Sequence, residues 1–317
     1  MDAVHDKHLR IRGSTVGGNV VVHDKRLFIT GSSALVIDGL EFRGRRLSPI
    51  VAGDRTNVKI SNTVFRQCDG GAVVSTGVLE VRTSSFLQNH KSMDSESRGA
   101  GIQAYGAVIL EYCSFLRNSA PEGGAVAAEG QNVMRHCLFA GNVARLAPAA
   151  WLVGGGSVEN CTFVGNVCEG LGGAIHVESF PMIRNCVFAG TVNGPAITCE
   201  PAPTVECCLL WENDLMGGGF CFVPDSDGNF SADPLFCDPG AGDYRVREGS
   251  PCVDGAGSDR LCGPIGAFGI GCTLEPVDPT SWGRIKFRYR PYNLAETSPS
   301  GIECSPMWEQ PLAETRS

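Results

Sequence analysis

The sequence predicts an all-β fold, a right-handed parallel β-helix of about eight coils. A template of charged, polar, Cys, any residue, Phe, two residues and Asn begins at Glu111, Arg135 and Glu159, and a looser copy begins at Arg184. Repeats of about 20 to 30 residues indicate leucine-rich repeats or a β-helix. The chain lacks the Leu-x-x-Leu-x-Leu pattern, whereas its alternating apolar residues and Gly/Asn corners predict short strands. Each predicted coil contributes one residue to an aromatic column, which is Phe42, Phe65, Phe86, Phe115, Phe139, Phe163, Phe188 and Leu210.

A second column lies two residues before this aromatic column and is mostly Cys. Residues two apart on a strand share a face, so we expect these side chains to stack inside the coils beside the phenylalanines. Thiols in a column could in principle bind zinc, but residues stacked on one flat strand do not surround an ion tetrahedrally. We therefore favour buried thiols that pack as small hydrophobic groups. The column is Thr63, Ser84, Cys113, Cys137, Cys161, Cys186 and Cys208.

Two further columns predict structural ladders. Asn recurs three residues after the aromatic position, where it tolerates left-handed backbone angles and its amide can bond to the next copy. The sign of charge alternates four residues before the aromatic position, so that opposite charges on coils about 4.8 Å apart fix the register. The Asn column is Asn89, Asn118, Asn142, Asn166 and Asn213. The charged column is Arg82, Glu111, Arg135, Glu159, Arg184 and Glu206.

The strand after each Gly-Gly corner carries the candidate functional residues. If its apolar residues point inward, the alternate positions face out. The inward set is Val73, Ile102, Val126, Ile175 and Ile197. The outward set is Val74, Gln103, Ala127, His176 and Thr198, followed by Thr76, Tyr105, Glu129, Glu178 and Glu200.

This outward face combines carboxylates, an imidazole and an aromatic ring. Glu129, His176, Glu178 and Glu200 are the catalytic candidates, and Tyr105 is a candidate platform for stacking against a sugar. Glu129 and Glu178 should lie two coils apart, about 10 Å, near the carboxylate separation of an inverting glycosidase. Such a pair can also bind Ca²⁺, the one cofactor that the pattern suggests. Ordinary solvent-exposed residues remain the simpler interpretation, because these residue types are common on any exposed strand.

Composition and charge narrow the class of protein and its partners. The net charge is −8 and no long basic run occurs, which makes nucleic acid a poor partner. No apolar stretch approaches the roughly 20 residues of a membrane-spanning helix. The N-terminus lacks the apolar centre of a secretory signal, yet the 15 cysteines favour an oxidising compartment. We therefore expect an exported protein, extracellular or on the outer cell surface, that is a monomer or part of a longer chain. Its Met1 is then expected to be an internal start or the result of a truncated gene model.

The predicted organisation has three parts. Residues 1–216 form the coils, with irregular early coils over residues 1–60, residues 217–272 form a loop-rich closing segment, and residues 273–317 form a partly disordered tail. The closing segment has an odd number of cysteines, which predicts two local disulfides and one remaining thiol that pairs with Cys199 or Cys207. Its cysteines are Cys221, Cys237, Cys252, Cys262 and Cys272.

The run SADPLFCDP from Ser231, with GSPCVDGAG and IGAFGIGC after it, resembles the closing segment of bacterial exported right-handed β-helix repeat proteins. Those proteins often have coils written as N-C-x-F-x-x-N followed by G-G-A-I, as at residues 160–166 and 172–175. The resemblance implies a pectate-lyase-like architecture over about residues 57–272 and says little about activity. Polygalacturonase-like relatives carry an Arg-Ile-Lys motif, but here Arg284, Ile285 and Lys286 lack the upstream partners.

Three functions remain open from the sequence. The first is a non-catalytic exported β-helix that adheres to surfaces or binds a polysaccharide or cell-surface glycan, favoured because no complete catalytic set is present. The second is a lyase, hydrolase or epimerase acting on a uronic-acid polymer through the Glu178 face. The third is a structural spacer of a larger surface protein.

Overall fold

The computed structural model describes residues 2–5, 8–13, 20–44, 48–93, 97–170, 172–179, 181–214, 221, 226–254 and 262–272. The chain divides into two compact units, Met1–Cys272 and Thr273–Ser317. The second unit, which contains the predicted disordered tail and the motif Arg284-Ile285-Lys286, lies outside the described residues. Within the described part, no helix is long and apolar enough to cross a bilayer.

Three long parallel sheets form the first unit, and each coil contributes one strand to each sheet. Sheet A consists of Asp2–His5, Leu27–Thr30, Ile50–Ala52, Val73–Ser75, Ile102–Ala104, Val126–Ala128, Ala150–Leu152, Ile175–Val177 and Ile197–Cys199. Sheet B consists of His8–Arg12, Ala34–Asp38, Asn57–Ser61, Val78–Arg82, Val108–Glu111, Asn132–Arg135, Gly156–Glu159, Met182–Arg184 and Thr204–Glu206. Sheet C consists of Val20–His23, Leu40–Gly44, Val64–Cys68, Ser85–Leu87, Ser114–Leu116, Leu138–Ala140, Thr162–Val164, Val187–Ala189, Leu209–Trp211 and Phe230–Ser231.

The remaining elements are short. Val143–Ala144 and Val167–Cys168 form a two-stranded parallel sheet at one corner. In the closing segment, Phe236–Asp238 and Asp243–Val246 form an antiparallel hairpin around a 3₁₀ turn at Pro239–Ala241. The parallel β-helix and the eight predicted coils from Phe42 to Leu210 are confirmed, and each long sheet begins one strand earlier.

The aromatic column is a continuous internal stack, as predicted. The seven phenylalanines from Phe42 to Phe188 are almost completely buried. Neighbouring ring centroids lie 4.7–5.1 Å apart, with interplanar angles of 4–9°. Because each ring covers the next, every coil buries the apolar faces that its neighbours would otherwise expose to water.

The Cys column is also internal, and its members are at most 2% exposed. The thiol of Cys137 lies 3.2 Å from the carbonyl oxygen of Arg135, and that of Cys161 lies 3.4 Å from the oxygen of Glu159. Burial raises the pKa of the Cys161 thiol well above its ordinary value. These contacts fit thiols that fill the core and donate weak hydrogen bonds to the backbone.

The Asn ladder is confirmed, but its backbone differs from the prediction. Asn142 donates from Nδ2 to the Phe115 carbonyl oxygen at 3.0 Å, and its Oδ1 accepts from the backbone N of Asn118 at 2.9 Å. The left-handed residues are those just before each Asn, such as Arg117 with φ 54° and Gly141 with φ 61°. The expectation that Asn itself adopts left-handed angles was wrong. The preceding residue makes the turn, so that the fully buried amide can point into the coil.

The alternating charged column is in register across sheet B. Arg82 pairs with Glu111 at 3.0 Å, and Arg135 contacts Glu111 at 3.7 Å and Glu159 at 3.5 Å. Further along the column, Arg184 is the register partner of both Glu159 and Glu206. Exposed pairs contribute little to stability, about 0.2–1 kcal/mol each. A slip of one coil would place like charges opposite each other, so their main effect is on register.

The disulfides tie the closing segment to the coils more extensively than predicted. Cys199 pairs with Cys221 and Cys207 pairs with Cys262, so that both coil cysteines are used. Only Cys237–Cys272 lies within the closing segment. The prediction of two local disulfides and one link to the coils was therefore wrong. The fifth cysteine, Cys252, is a free and buried thiol, and burial raises its pKa to about 11.

Candidate functional site on sheet A

The outer side of sheet A carries the predicted candidates. The five residues predicted to point inward are at most 1% exposed. Ala127 and Thr198, predicted to face solvent, are buried, at 2% and 7% exposure. They lie on the outer side of the sheet but are covered: Ala127 packs against Trp151, and Thr198 lies under His176, whose Nδ1 is 3.0 Å from the Thr198 hydroxyl.

Trp151 lies at the centre of this face. Its strand, Ala150–Leu152, runs between Val126–Ala128 and Ile175–Val177, with Trp151 in register with Ala127 and His176. The indole Nε1 donates to Oε1 of Glu178 at 2.9 Å. Although it points outward from the sheet, Trp151 is only 6% exposed. We call the group formed by Arg98, Glu129, Trp151, His176 and Glu178 the Trp151 cluster.

Arg98 covers the indole from above. Its guanidinium carbon lies 3.8 Å from the Trp151 ring centroid, the geometry of a cation–π contact. The same guanidinium bonds to Glu122 at 2.6 Å and to Glu129 at 3.4 Å. The chain turns immediately afterwards at Gly99, whose φ is +59° and where a Cβ would overlap the Ile102 carbonyl oxygen. Arg98 therefore occupies the space above the ring and also pairs with the carboxylate of one catalytic candidate.

Glu178 and His176 are in contact with each other. His176 Nε2 lies 3.5 Å from Glu178 Oε1, and the Glu178 side chain is 39% exposed. Burial lowers the pKa of His176 below 6.5, although the charge and hydrogen bond of Glu178 oppose that shift. At neutral pH the imidazole is therefore mainly neutral. Glu178 is shared between an indole N–H and an imidazole.

The other two candidates lie at the edges of the cluster. Glu200 is exposed, beside the end of the strand next to that of Glu178. Tyr105 is 46% exposed, and its hydroxyl oxygen accepts from Gln103 Nε2 at 2.6 Å. Gln103 in turn accepts from the buried Lys91 ammonium at 2.6 Å, and burial lowers the Lys91 pKa to about 8. The chain from Lys91 to Gln103 fixes the tyrosine hydroxyl on the surface.

Sequence reasoning missed Trp151 and Arg98. The coil of Trp151 has Ala-Pro-Ala-Ala where its neighbours have Gly-Gly-Ala, so the corner motif did not mark its strand. Counting 24 residues on from Ala127, or 25 back from His176, does reach Trp151. Arg98 gave no such signal, because its contact with Trp151 spans two coils.

The family comparison agrees with this architecture. A family model described as a right-handed beta helix region matches residues 3–167, more than half of the chain. The chain belongs to this right-handed β-helix family. The repeat model of the Chlamydia polymorphic membrane protein matches residues 160–178, which include both the N-C-x-F-x-x-N and the G-G-A-I motifs. No curated protein and no solved structure matches the chain.

On this β-helix, the Trp151 cluster forms a connected polar surface. Glu129 is paired with Arg98 and Glu178 accepts from Trp151, and the two glutamate side chains are 36% and 39% exposed. General acid–base catalysis needs a carboxyl group within hydrogen-bond reach of the substrate. Among the described residues, no group of three or more His, Cys, Asp or Glu side chains could hold a metal ion. The expectation that a carboxylate pair binds Ca²⁺ stays a prediction.

Proposed function

We propose that this protein is a surface-displayed β-helix that binds glycans without cleaving them. The observation that carries the proposal is the Trp151 cluster, in which the carboxylates expected to act as acid and base are engaged by Arg98 and Trp151. Satisfied polar networks of this kind hold a surface rigid. Rigid surfaces lose less entropy when a ligand binds, which favours recognition.

Two further observations support display at a surface. The three disulfides among the described residues are compatible with an oxidising compartment, which is typical of exported proteins. The match at residues 160–178 is to a repeat whose name describes a membrane protein of Chlamydia. The β-helix also presents extended outer faces on its sheets. These features fit a domain that is displayed outside the cell and contacts material there.

Tyr105 is the candidate contact residue on this face. Its ring is 46% exposed, and the Gln103 hydrogen bond fixes its hydroxyl. A fixed aromatic ring offers an apolar face for the C–H side of a sugar, and its hydroxyl offers a polar edge. Three and four strands further along sheet A, the exposed carboxylates of Glu178 and Glu200 supply acceptors for the hydroxyl groups of a longer glycan.

A second candidate function, cleavage of a uronic-acid polymer, is favoured by one contact. His176 is mainly neutral at pH 7 and lies 3.5 Å from Glu178, an arrangement that a general base could use. In that case Glu178→Gln would abolish product formation without lowering the melting temperature.

A polysaccharide array that is read twice with the same purified protein separates the two functions. The proposal predicts retained protein on at least one glycan and no release of unsaturated or reducing ends from any of them. Release of ends that disappears in Glu178→Gln would establish the enzyme and reject the proposal. Absence of both binding and release would also reject it, and would favour the structural spacer.

A further inference from the structure

A cleft of about 480 Å³ lies on the outer side of sheet C, away from the Trp151 cluster. Its floor is formed by the last strands of the sheet, and its wall is formed by the hairpin Phe236–Asp238 and Asp243–Val246. Volumes of roughly 300–1,000 Å³ are typical of sites for small ligands. The aromatic and charged side chains that line the cleft are Trp211, Glu212, Asp233, Phe236, Tyr244 and Arg247.

Three register partners form the floor of the cleft. Trp211, Ala189 and Val164 hold the outward position beside the aromatic column. Ala189 is covered, at 4% exposure, whereas Trp211 packs against the same hydrophobic cluster and stays partly exposed. The corner after the strand is left-handed at Glu212, with φ 49°, and places that carboxylate at the rim.

Several contacts fix the wall of the cleft. Asp233 Oδ1 accepts from the backbone N of Leu235 at 2.8 Å, and Leu235 itself is left-handed, with φ 52°. The Phe236 and Tyr244 rings meet edge to face, with centroids 5.6 Å apart and an interplanar angle of 83°. The Cys237–Cys272 disulfide anchors the same hairpin. The aromatic wall is therefore preformed and does not have to be assembled when a ligand binds.

We propose that this cleft is a second carbohydrate site, which binds a neutral, hydroxyl-rich oligosaccharide. Trp211 and Tyr244 supply apolar ring faces for the C–H side of a sugar ring. Glu212 and Asp233 accept hydrogen bonds from sugar hydroxyl groups, and Arg247 donates to sugar oxygens. This inference deepens the proposed function and rests on it, since it names a site and a ligand class for glycan binding.

The charge at the rim selects the ligand class. Two carboxylates and one guanidinium line the cleft, so that a polyanion such as a uronic-acid polymer would meet net repulsion. A neutral glycan avoids that repulsion and still uses all three groups. The predicted ligand therefore differs from the uronic-acid polymers that the enzyme alternative would use on sheet A.

The test is equilibrium binding of neutral and acidic oligosaccharides to four full-length proteins: wild type, Trp211→Leu, Arg247→Ala and Tyr112→Ala. Tyr112 is an exposed aromatic residue next to a strand of sheet B, outside the cleft and the Trp151 cluster. The two cleft variants should lose neutral-glycan affinity at least tenfold, while Tyr112→Ala should change it less than twofold. Arg247 is exposed, so Arg247→Ala keeps the test valid if Trp211→Leu lowers the stability of the closing segment.

The outcomes separate this inference from the function on which it rests. Wild-type affinity for neutral glycans in both folded cleft variants would overturn the cleft site and leave glycan binding by the protein intact. A wild-type protein that binds only acidic glycans would overturn the ligand class and, with it, the inference. A wild-type protein that binds no glycan would overturn the inference and the proposed function together.

Discussion

Trp151 is the residue that connects the side chains of the candidate face on sheet A. It covers Ala127, lies under Arg98 and donates to Glu178, so it links residues from different coils. An indole is suited to this position because it combines a large apolar face with one N–H donor. Glu178, a catalytic candidate by residue type, is therefore a hydrogen-bond acceptor for the buried Trp151 ring.

The Trp151→Phe variant tests the indole hydrogen bond. Phenylalanine keeps a ring beneath Arg98 but loses the donor to Glu178. Hydrogen bonds to charged groups contribute about 1.5–3 kcal/mol, and the 39% exposure of Glu178 lets water replace part of this. We expect the loss of this hydrogen bond to lower the free energy of unfolding in urea by about 1 kcal/mol.

A double-mutant cycle with Glu178→Ala separates the contribution of this hydrogen bond from the effect of the smaller ring. Strictly additive costs would contradict the assigned contact.

His176 makes stability depend on pH. Its pKa is lowered in the folded state by burial, so below pH 6.5 the unfolded chain binds more protons than the folded one. The free energy of unfolding should therefore fall as the pH drops through the window between 6.5 and the lowered folded-state pKa. Urea titrations from about pH 7.5 to about pH 5 measure this change. His176→Asn should flatten the curve within that window, and equal slopes in the two proteins would rule the explanation out.

Sequence reasoning reached some of these residues and missed others for physical reasons. Glu178 and His176 were found because they lie on a strand with a marked corner, and their place on the outer side followed from period-2 alternation. Their contacts could not be predicted, because side-chain pairing between coils depends on Trp151 and on Arg98, which enters from an irregular part of its coil. The repeat spacing alone would have predicted that Trp151 lies on this outer face of sheet A.

Among the structural elements, the internal ladders of Phe, Asn and Cys residues were the most predictable from the sequence. Identical residues at fixed spacing can stack only if the coils are in register, so Phe115, Asn142 and Cys137 each indicated a column. The left-handed positions were harder to predict, because Gln88, Arg117 and Glu212 give no local signal for positive φ. Tertiary packing of the following Asn imposes that backbone.

The Asn142→Ala variant tests the Asn ladder. It removes the donor to the Phe115 carbonyl and leaves the backbone N of Asn118 without its acceptor, both in a buried setting. Unsatisfied buried groups cost about 1–3 kcal/mol each, so we expect a loss of about 3 kcal/mol or more in urea unfolding. The exposed Asn57, on a strand of sheet B, is the control, and Asn57→Ala should cost less than about 1 kcal/mol. Similar costs for the two substitutions would contradict a stabilising internal ladder.

At the scale of the whole molecule, the closing segment is linked covalently to the last coils. Cysteine count and spacing predicted that disulfides occur there, but the pairing depends on how the loops fold back onto the coils. Two of the three bonds cross from the closing segment to the coils, so they connect parts that share few strands. The hairpin that forms the wall of the cleft is held by the third bond, Cys237–Cys272, which lies within the closing segment.

The Cys207–Cys262 bond should matter most among the disulfides, since it spans 55 residues. In the chain-entropy model, long loops lose the most unfolded-state freedom when they are closed, and removing a bond of this kind costs about 2–4 kcal/mol. We expect the Cys207→Ser, Cys262→Ser double variant to melt at a lower temperature than the oxidised wild type. The reductant-treated wild type is the control and should melt at least as low. No effect of reductant on the wild type would contradict stabilisation by disulfides.

We propose that this β-helix recognises a glycan and leaves it intact. The most direct test is to hold one glycan identified on the array with excess wild-type protein for many hours, release it by denaturation and measure its mass. We expect that the glycan binds at equilibrium and is recovered with its original mass. Recovery of shortened chains, or of chains with the mass of an elimination product, would show that the protein is an enzyme.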